Sequence, residues 1–210
     1  MELKLLKHDT LKIITENNEK RYVVYVDPFK IDKDEEKADL ILITHDHYDH
    51  YSPADCEILE KESTIYVAGR NFKDKIDKKN LRLIDYWQTI QVQNIKITGV
   101  PAYNIREDRQ QYHPKSYHGF GYIIELEDKR IYHAGDTDKI PEMQKLGKMD
   151  YAFVPVSGKY VMGAEEAASA INEYIKPKIA VPMHYGVIVG TEDDAQRFKE
   201  LCEYDVKFMR

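Results

Sequence analysis

The chain has little cysteine, no long apolar run and no excess of positive charge. Its two cysteines, Cys56 and Cys202, are too few for a disulfide framework and lack the spacing of a thiolate metal site, so we expect both to be packing residues. No apolar run approaches the ~18 residues needed to cross a bilayer. The first four residues, Met1-Glu2-Leu3-Lys4, do not begin a signal peptide. The sequence therefore predicts a cytoplasmic protein with no membrane partner.

Charge and composition narrow the class of partner. The 31 basic and 37 acidic residues give a net charge of -6, so the overall charge does not attract nucleic acid. Hydrophobic residues make up 42% of the 210 residues and can supply a substantial core. No repeat, low-complexity tract or linker divides the chain. We expect a single domain over residues 1–210 that acts on a small molecule, while the oligomeric state stays open.

Apolar runs with strand spacing dominate the first half of the chain, whereas strands and helices alternate in the second half. Two sheets packed face to face, with helices outside, would bury all of these runs. This pattern predicts the α+β class. The predicted elements that matter below are strands at Leu40–Thr44 and Ile179–Met183, a turn at Asn17-Asn18, a short helix at Asn71–Asp77, a long loop at Asn104–His118, and helices at Ala164–Ile175 and Glu192–Tyr204.

Three imidazoles and two carboxylates occur within the heptapeptide Thr44–His50, which directly follows the apolar run Leu40–Ile43. A strand that ends in H-x-H-x-D-H presents its polar side chains in a loop at the edge of a sheet. Imidazole nitrogen and carboxylate oxygen suit zinc, and also iron or manganese. With only 8 histidines in the chain, a solvated loop is a poorer explanation of this concentration than a metal site.

Two later segments also end an apolar strand with a candidate ligand. Ile131–Asp136 presents Asp136 after a glycine that permits close backbone approach, and Val181–His184 presents His184 in the same way. No G-x-S-x-G sequence is present that would indicate a serine nucleophile. If the three strand ends meet at one edge of the sheets, their ligands converge on one metal site.

The heptapeptide, Gly135-Asp136-Thr137 and His184 together resemble the metallo-β-lactamase superfamily, over essentially the whole chain. The similarity is greatest to its small, single-domain metal-dependent hydrolases from bacteria and archaea. The resemblance implies a four-layer αββα sandwich with the metal site at one edge of the sheets. It says almost nothing about the substrate.

Carried over by position, the resemblance implies two metal ions, expected to be Zn²⁺ with Mn²⁺ or iron as alternatives. His45 and His47 are expected to bind the first ion, and Asp136 to bridge both. The second ion is expected to take Asp49, His50 and His184 as ligands. Asp49 is also the expected catalytic residue, because it can orient the attacking hydroxide or accept its proton.

The chain departs from the family pattern after the strand at Ile95–Val100, where many members have a further histidine for the first metal. The sequence here is Pro101-Ala102-Tyr103-Asn104. His113 is the nearest substitute, with His118 and a supporting role for Asn104 as alternatives. If none of them contributes, a single ion is expected.

Other polar residues near these segments are expected to lie outside the ligand set. His133 is expected to pack in the core, His8 to be remote from the site, and Asp46 to be exposed or to lie behind the ligands. The predicted function is a metal-dependent hydrolase that cleaves an ester-like bond in a phosphodiester, lactone or thioester. An iron-dependent redox enzyme of the same fold and a nucleic-acid-processing nuclease are the alternatives.

Overall fold

The computed structural model describes residues 1–17 and 20–210. Its contacts divide the chain into two compact units, one comprising Met1–Asp85 with Met209–Arg210 and the other comprising Tyr86–Phe208. Each unit contains one mixed β-sheet together with helices. This composition agrees with the predicted α+β class. The expectation of a single domain over residues 1–210 stays a prediction.

The N-terminal unit contains a six-stranded sheet in sequence order, β1-β2-β3-β4-β5-β6. The first three strands are antiparallel, and β3 to β6 are parallel. The strands are β1 (Glu2–Leu5), β2 (Leu11–Asn17), β3 (Lys20–Val26), β4 (Leu40–Ile43), β5 (Ile65–Gly69) and β6 (Leu81–Ile84). The turn predicted at Asn17-Asn18 involves Asn18, which lies outside the described residues.

Strand β4 is the central element that positions the heptapeptide. It pairs in parallel with β3 and β5, and all four of its residues are buried. A continuous apolar run is typical of a parallel strand that is covered on both faces. The chain continues from its carboxyl end into Thr44–His50 and then into α1 (Pro53–Leu59). Ser52 caps α1, since its side chain accepts a hydrogen bond from the backbone N–H of Asp55.

The C-terminal unit contains a seven-stranded sheet in the order β13-β12-β11-β10-β9-β8-β7. Strands β7 to β10 are antiparallel, and β10 to β13 are parallel. The strands are β7 (Thr89–Val92), β8 (Ile95–Ala102), β9 (Gly119–Leu126), β10 (Lys129–His133), β11 (Tyr151–Pro155), β12 (Ile179–Met183) and β13 (Asp205–Val206). The carboxyl ends of the parallel strands β10, β11 and β12 meet at one edge of this sheet.

Helices of the C-terminal unit follow the prediction with changes at their ends. α2 (Ala164–Ala170) continues as a π-helical turn at Ile171–Ile175, which ends before Pro177. α3 (Glu192–Leu201) begins after Thr191, whose side chain and that of Asp194 form a reciprocal cap. Short 3-10 helices lie at Arg70–Phe72, Lys115–Tyr117 and Pro141–Lys145.

The helix predicted at Asn71–Asp77 is wrong, because only the 3-10 turn at Arg70–Phe72 forms there. Only two residues of the predicted helix, Phe72 and Ile76, are buried, which leaves a full helix too little apolar surface to pack. Within residues 1–17 and 20–210, no helix combines the length and the apolar character that a membrane span requires.

Candidate metal centre

Asp27, at the end of β3, anchors both ends of the heptapeptide. Its buried carboxylate accepts hydrogen bonds from the backbone N–H of Thr44 (2.8 Å) and from the Thr44 hydroxyl (2.5 Å). Nδ1 of His50 lies 2.8 Å from Oδ2 of the same carboxylate. Because the carboxylate accepts the Nδ1 proton, Nε2 of His50 keeps its lone pair for a metal.

The Thr44 hydroxyl also determines the tautomer of His45. Its single proton is used on Asp27, so it can only accept from Nδ1 of His45, 3.0 Å away. Nε2 of His45 is therefore the nitrogen that carries a lone pair, and it faces Nδ1 of His47 at 3.1 Å. The His45 ring centroid lies 4.7 Å from that of His47 and 4.0 Å from that of His50. The three imidazoles thus form one cluster with their available nitrogens close together.

His8 was expected to be remote, and this expectation is wrong. It lies in the turn between β1 and β2 and is fully buried, with its Nε2 3.2 Å from Oδ2 of Asp49. The buried carboxylate of Asp9, in the same turn, has Oδ2 3.7 Å from Nε2 of His50. The N-terminal cluster of the structure therefore consists of two parts, the heptapeptide and the His8-Asp9 turn.

Asp46, Tyr48 and Cys56 also lie in or near the heptapeptide. Asp46 forms an ion pair with Lys75, 2.5 Å between Oδ2 and Nζ, as expected for a residue outside the ligand set. Tyr48 is exposed. Cys56 is fully buried, and burial raises the pKa of its thiol to about 12. It is therefore a packing residue, because a thiol that stays protonated at neutral pH is a poor metal ligand.

In the C-terminal unit, Asp136 lies between two histidines. Its Oδ2 is 3.3 Å from Nε2 of His113 and 3.4 Å from Nε2 of His184, and all three side chains are buried. Asp136 follows β10, and His184 follows β12. Nδ1 of His184 lies 2.8 Å from the Ser157 hydroxyl, which follows β11. Three segments at the carboxyl ends of neighbouring strands and the loop that carries His113 therefore build this C-terminal cluster.

The structure distinguishes among the three residues that could replace the missing family histidine. His113 reaches Asp136, and its Nδ1 lies 3.3 Å from both the Tyr160 carbonyl oxygen and the side-chain nitrogen of Asn104. His118, in contrast, is exposed and stacks on Tyr86 with ring centroids 5.0 Å apart. His113 thus joins the cluster, Asn104 lies behind it, and His118 is turned away.

His133 lies in the core, as expected. It is fully buried, and its ring stacks on Phe153 with centroids 6.5 Å apart. Its Nδ1 accepts a hydrogen bond from the backbone N–H of Gly135 at 3.3 Å. This contact supports the turn that carries Asp136, so His133 acts on the cluster through the backbone of Gly135.

Backbone in the left-handed region occurs in both clusters. The φ angles are 54° at His8 and 47° at Asp27 in the N-terminal unit, and 61° at both Gly135 and His184 in the C-terminal unit. Such conformations cost about 1–3 kcal/mol at non-glycine residues and persist only where the surroundings impose them. The surroundings of the two clusters therefore hold His8, Asp27 and His184 in this conformation.

The donors of both clusters fit a divalent transition metal. His45 and His50 each donate from Nδ1, to a hydroxyl and a carboxylate, which leaves Nε2 for coordination. Nδ1 of His184 lies within hydrogen-bond distance of the Ser157 hydroxyl. In the N-terminal cluster the ligand atoms of His8, Asp49 and His50 lie within 4.8 Å of one another. Histidines fixed through one nitrogen, with carboxylates beside the other, are the arrangement that metal-binding histidines adopt.

Comparison with known proteins identifies the family. Residues 2–184 match the family model described as the β-lactamase superfamily domain. The chain belongs to the metallo-β-lactamase superfamily. A relative from Staphylococcus haemolyticus, named a UPF0173 metal-dependent hydrolase, is 33% identical over 223 residues, which cover 94% of this chain and 92% of the relative.

Solved structures agree with this assignment to the metallo-β-lactamase superfamily. A crystal structure of a proposed metal-dependent hydrolase from Parabacteroides distasonis has a TM-score of 0.86 at 34% identity and covers 99% of this chain and 91% of its own. One from Thermotoga maritima, a proposed zinc-dependent hydrolase of the superfamily, has a TM-score of 0.65 at 22% identity, with coverages of 99% and 97%. The second likeness shows the fold alone. The predicted fold family is confirmed.

Sequence reasoning missed the His8-Asp9 turn of this superfamily member. Two adjacent polar residues lie there between apolar strands, in a chain with only 8 histidines. That signal is weak because most polar pairs between strands are solvated turns. Only the strand order, which places the β1–β2 hairpin in the same sheet as β4, could have drawn attention to it.

Proposed function

We propose that this chain is a metal-dependent hydrolase with a dinuclear metal centre, with Zn²⁺ as the expected metal. Family membership supports the proposal, as do the names of its relatives. The observation that carries it is the protonation pattern of the histidines, because His45 and His50 are both held so that Nε2 is available. An ordinary polar loop has no reason to fix two imidazoles in this way.

The proposed ligand assignment follows the donor chemistry of each residue. A carboxylate can bridge two ions through its two oxygens, whereas a neutral imidazole offers one lone pair. Asp136 is therefore proposed as the bridge. The first ion is proposed to bind His45, His47 and His113, and the second ion to bind Asp49, His50 and His184.

When bound, the metal supplies Lewis acidity, which lowers the pKa of a water ligand and polarises the bond to be cleaved. The protein's own contribution is to place a proton acceptor beside that water. Oδ2 of Asp49 is proposed for this role, and Nε2 of His8 lies 3.2 Å from this oxygen. The substrate is proposed to be a small molecule with a phosphodiester, lactone or thioester bond. Phosphodiesters are favoured because two metal ions can stabilise both the attacking and the leaving oxygen.

The test is metal analysis of the natively purified protein, combined with a panel of phosphodiester, lactone and thioester substrates. Asp136→Ala and His47→Ala should each lose most of the bound metal and all hydrolysis. Asp46→Ala is the matched control, since Asp46 lies in the same heptapeptide but pairs with Lys75. Its metal content and activity should be unchanged.

Wild-type metal content and activity in Asp136→Ala would contradict the proposal. Two other outcomes would favour the alternative functions. Native iron with oxygen consumption would indicate a redox enzyme. Cleavage of RNA or DNA with binding that weakens steeply as salt rises would indicate a nuclease.

A further inference from the structure

A buried ion cluster in the C-terminal unit has no part in the function proposed so far. Arg109, in the long loop before β9, is only 4% exposed. Its Nε donates to Oδ1 of Asp138, and one terminal nitrogen donates to Oε2 of Glu166 on α2. Asp138 is fully buried. We call Arg109, Asp138 and Glu166 the Arg109 clamp.

The two carboxylates of the clamp connect three parts of the C-terminal unit. Oδ2 of Asp138 accepts hydrogen bonds from the backbone N–H groups of Ile105 (2.8 Å) and Arg106 (2.9 Å), at the start of the loop. Oε1 of Glu166 accepts one from the backbone N–H of Lys139 (2.9 Å). The clamp thus ties the loop both to the segment that directly follows Asp136 and to α2.

Asn104 carries this constraint from the clamp to His113. Its side-chain nitrogen donates to the backbone carbonyl oxygens of Arg109 (3.0 Å) and Tyr160 (2.6 Å), and it lies 3.3 Å from Nδ1 of His113. The Asn104 backbone N–H donates to the His113 carbonyl oxygen at 2.7 Å. Residues 104–113 therefore form a closed loop, in which the hydrogen bonds of Asn104 connect Arg109 to His113.

An arginine is costly to bury, and it is kept in the interior only when its charge and its donors are satisfied. Its planar fork can reach two carboxylates at once, which a lysine ammonium does less well. Most loops of this length lie on the surface and need no such device. This loop carries His113, the proposed replacement for the usual family histidine. His113 does not directly follow a strand that would fix its position.

We propose that Arg109 is a positioning residue which, through Asp138, Glu166 and Asn104, holds His113 at Asp136 and thereby sets the affinity of the first metal. This inference rests on the proposed function, in which His113 is a ligand. Arg109 itself does not touch the metal or the substrate. Its loss should loosen the loop and weaken one metal while the other stays bound.

The experiment compares Arg109→Lys and Glu166→Gln with Arg106→Met as the matched control. Arg106 lies in the same loop, but its side chain is exposed and forms its ion pair with Asp108. Both clamp variants keep a polar group at the altered position, which avoids leaving an isolated buried charge. Circular dichroism and thermal unfolding of the metal-free proteins check that each variant folds.

Two measurements other than activity are made on each protein. Co²⁺ is titrated in competition with a chelator while its visible absorption is recorded, and hydrogen–deuterium exchange is followed at residues 104–118. The clamp variants should bind the weaker Co²⁺ ion about 10- to 100-fold less tightly, as is usual when the partner of a ligand is lost. Their exchange should rise in this loop only, and Arg106→Met should match the wild type in both measurements.

His113→Ala separates failure of this inference from failure of the proposed function. If His113→Ala weakens one Co²⁺ ion but the folded clamp variants bind both ions as the wild type does, the clamp inference is wrong and the ligand assignment stands. If His113→Ala itself leaves both ions bound with wild-type affinity, the ligand assignment on which the inference rests is wrong.

Discussion

The two candidate metal-binding clusters are built in different ways. The N-terminal cluster takes four of its proposed ligands from seven consecutive residues behind a single strand, β4. The C-terminal cluster takes His113, Asp136 and His184 from three segments that are far apart in the chain. The first therefore depends on the conformation of one loop, and the second on the order and pairing of several strands.

This difference determines how each cluster is held. One carboxylate, Asp27, fixes both ends of the heptapeptide, and through Thr44 it also sets the tautomer of His45. The C-terminal cluster needs a separate support for each histidine. Ser157 holds His184, and the Arg109 clamp is proposed to hold His113. A single substitution should thus disturb the N-terminal cluster more than the C-terminal one.

The largest effect outside the ligands is expected for Asp27→Asn. The amide presents two N–H donors where three donors now converge on carboxylate oxygens, so at least one buried group loses its partner. Asparagine tolerates the left-handed backbone at this position, so backbone strain is not the cause. Stability should fall by about 1–3 kcal/mol, and metal affinity by about 10- to 100-fold, measured by denaturant unfolding and chelator competition.

Asp46→Asn is the control for Asp27→Asn, because Asp46 is in the same loop but forms its ion pair with Lys75. It should leave metal affinity unchanged. Equal effects of the two substitutions would show that the heptapeptide does not depend on a single anchor, and the contrast between the clusters would disappear.

A smaller effect is expected for His8→Leu, which tests whether the N-terminal cluster is as local as the heptapeptide suggests. The substitution removes the nitrogen that contacts Oδ2 of Asp49. We expect the affinity for one of the two metals to fall by about 10-fold, measured by chelator competition. His8→Gln should recover most of this loss, because a glutamine amide can donate a hydrogen bond to the carboxylate.

If His8→Leu retained both metals at wild-type affinity in a stably folded protein, the contact with Asp49 would have no role in metal binding. The seven consecutive residues would then form the cluster without help from the β1–β2 turn.

The smallest effect concerns acid stability of the N-terminal unit, away from the metal ligands. Burial raises the pKa of Glu35, but the hydrogen bonds from Lys12 (2.7 Å) and Tyr25 (3.1 Å) outweigh it, so the pKa is lower than usual. The interactions of ionised Glu35 therefore stabilise the folded state fully above the unfolded-state pKa of about 4.3. This stabilisation is lost as the pH falls below that value and through the folded-state pKa.

Glu35→Gln should accordingly lower stability by about 1 kcal/mol at neutral pH, and the difference from the wild type should shrink as the solution is acidified through that range. Denaturant unfolding at a series of pH values measures the free energy of unfolding of the wild type and of the variant. A difference that stayed constant with pH would show that the ion pair contributes nothing through its charge.

Much of the fold could be predicted because the strands are marked by continuous apolar runs. The buried strands at Leu40–Thr44 and Ile179–Met183 formed within one residue of the prediction. The helix at Asn71–Asp77 failed because charged residues with helical propensity do not form a stable helix without an apolar face to bury. The end of α3 differs by three residues, since helix termini depend on local capping that a periodic pattern does not define.

The candidate site could be predicted in part for a similar reason. The heptapeptide is recognisable because its donors are neighbours in the chain. The positions of His8 and His113 could not be recognised in this way. In the sequence, a histidine that reaches the site from a turn or loop looks like any exposed histidine until the order of the strands is known. His113 could be offered only as one of three alternatives, and the contact with Asp136 depends on a loop held by its own buried hydrogen bonds.

The sequence by itself determined the strand pattern, the family and the candidate ligands that follow directly from β4, β10 and β12, because adjacent residues keep their spacing in any fold. Only the tertiary structure decided that His8 lies against Asp49, that His113 and not His118 reaches Asp136, and that Arg109 is buried between two carboxylates. These contacts join residues that are distant in the chain. Their formation depends on strand order and loop closure, which no local pattern of side chains encodes.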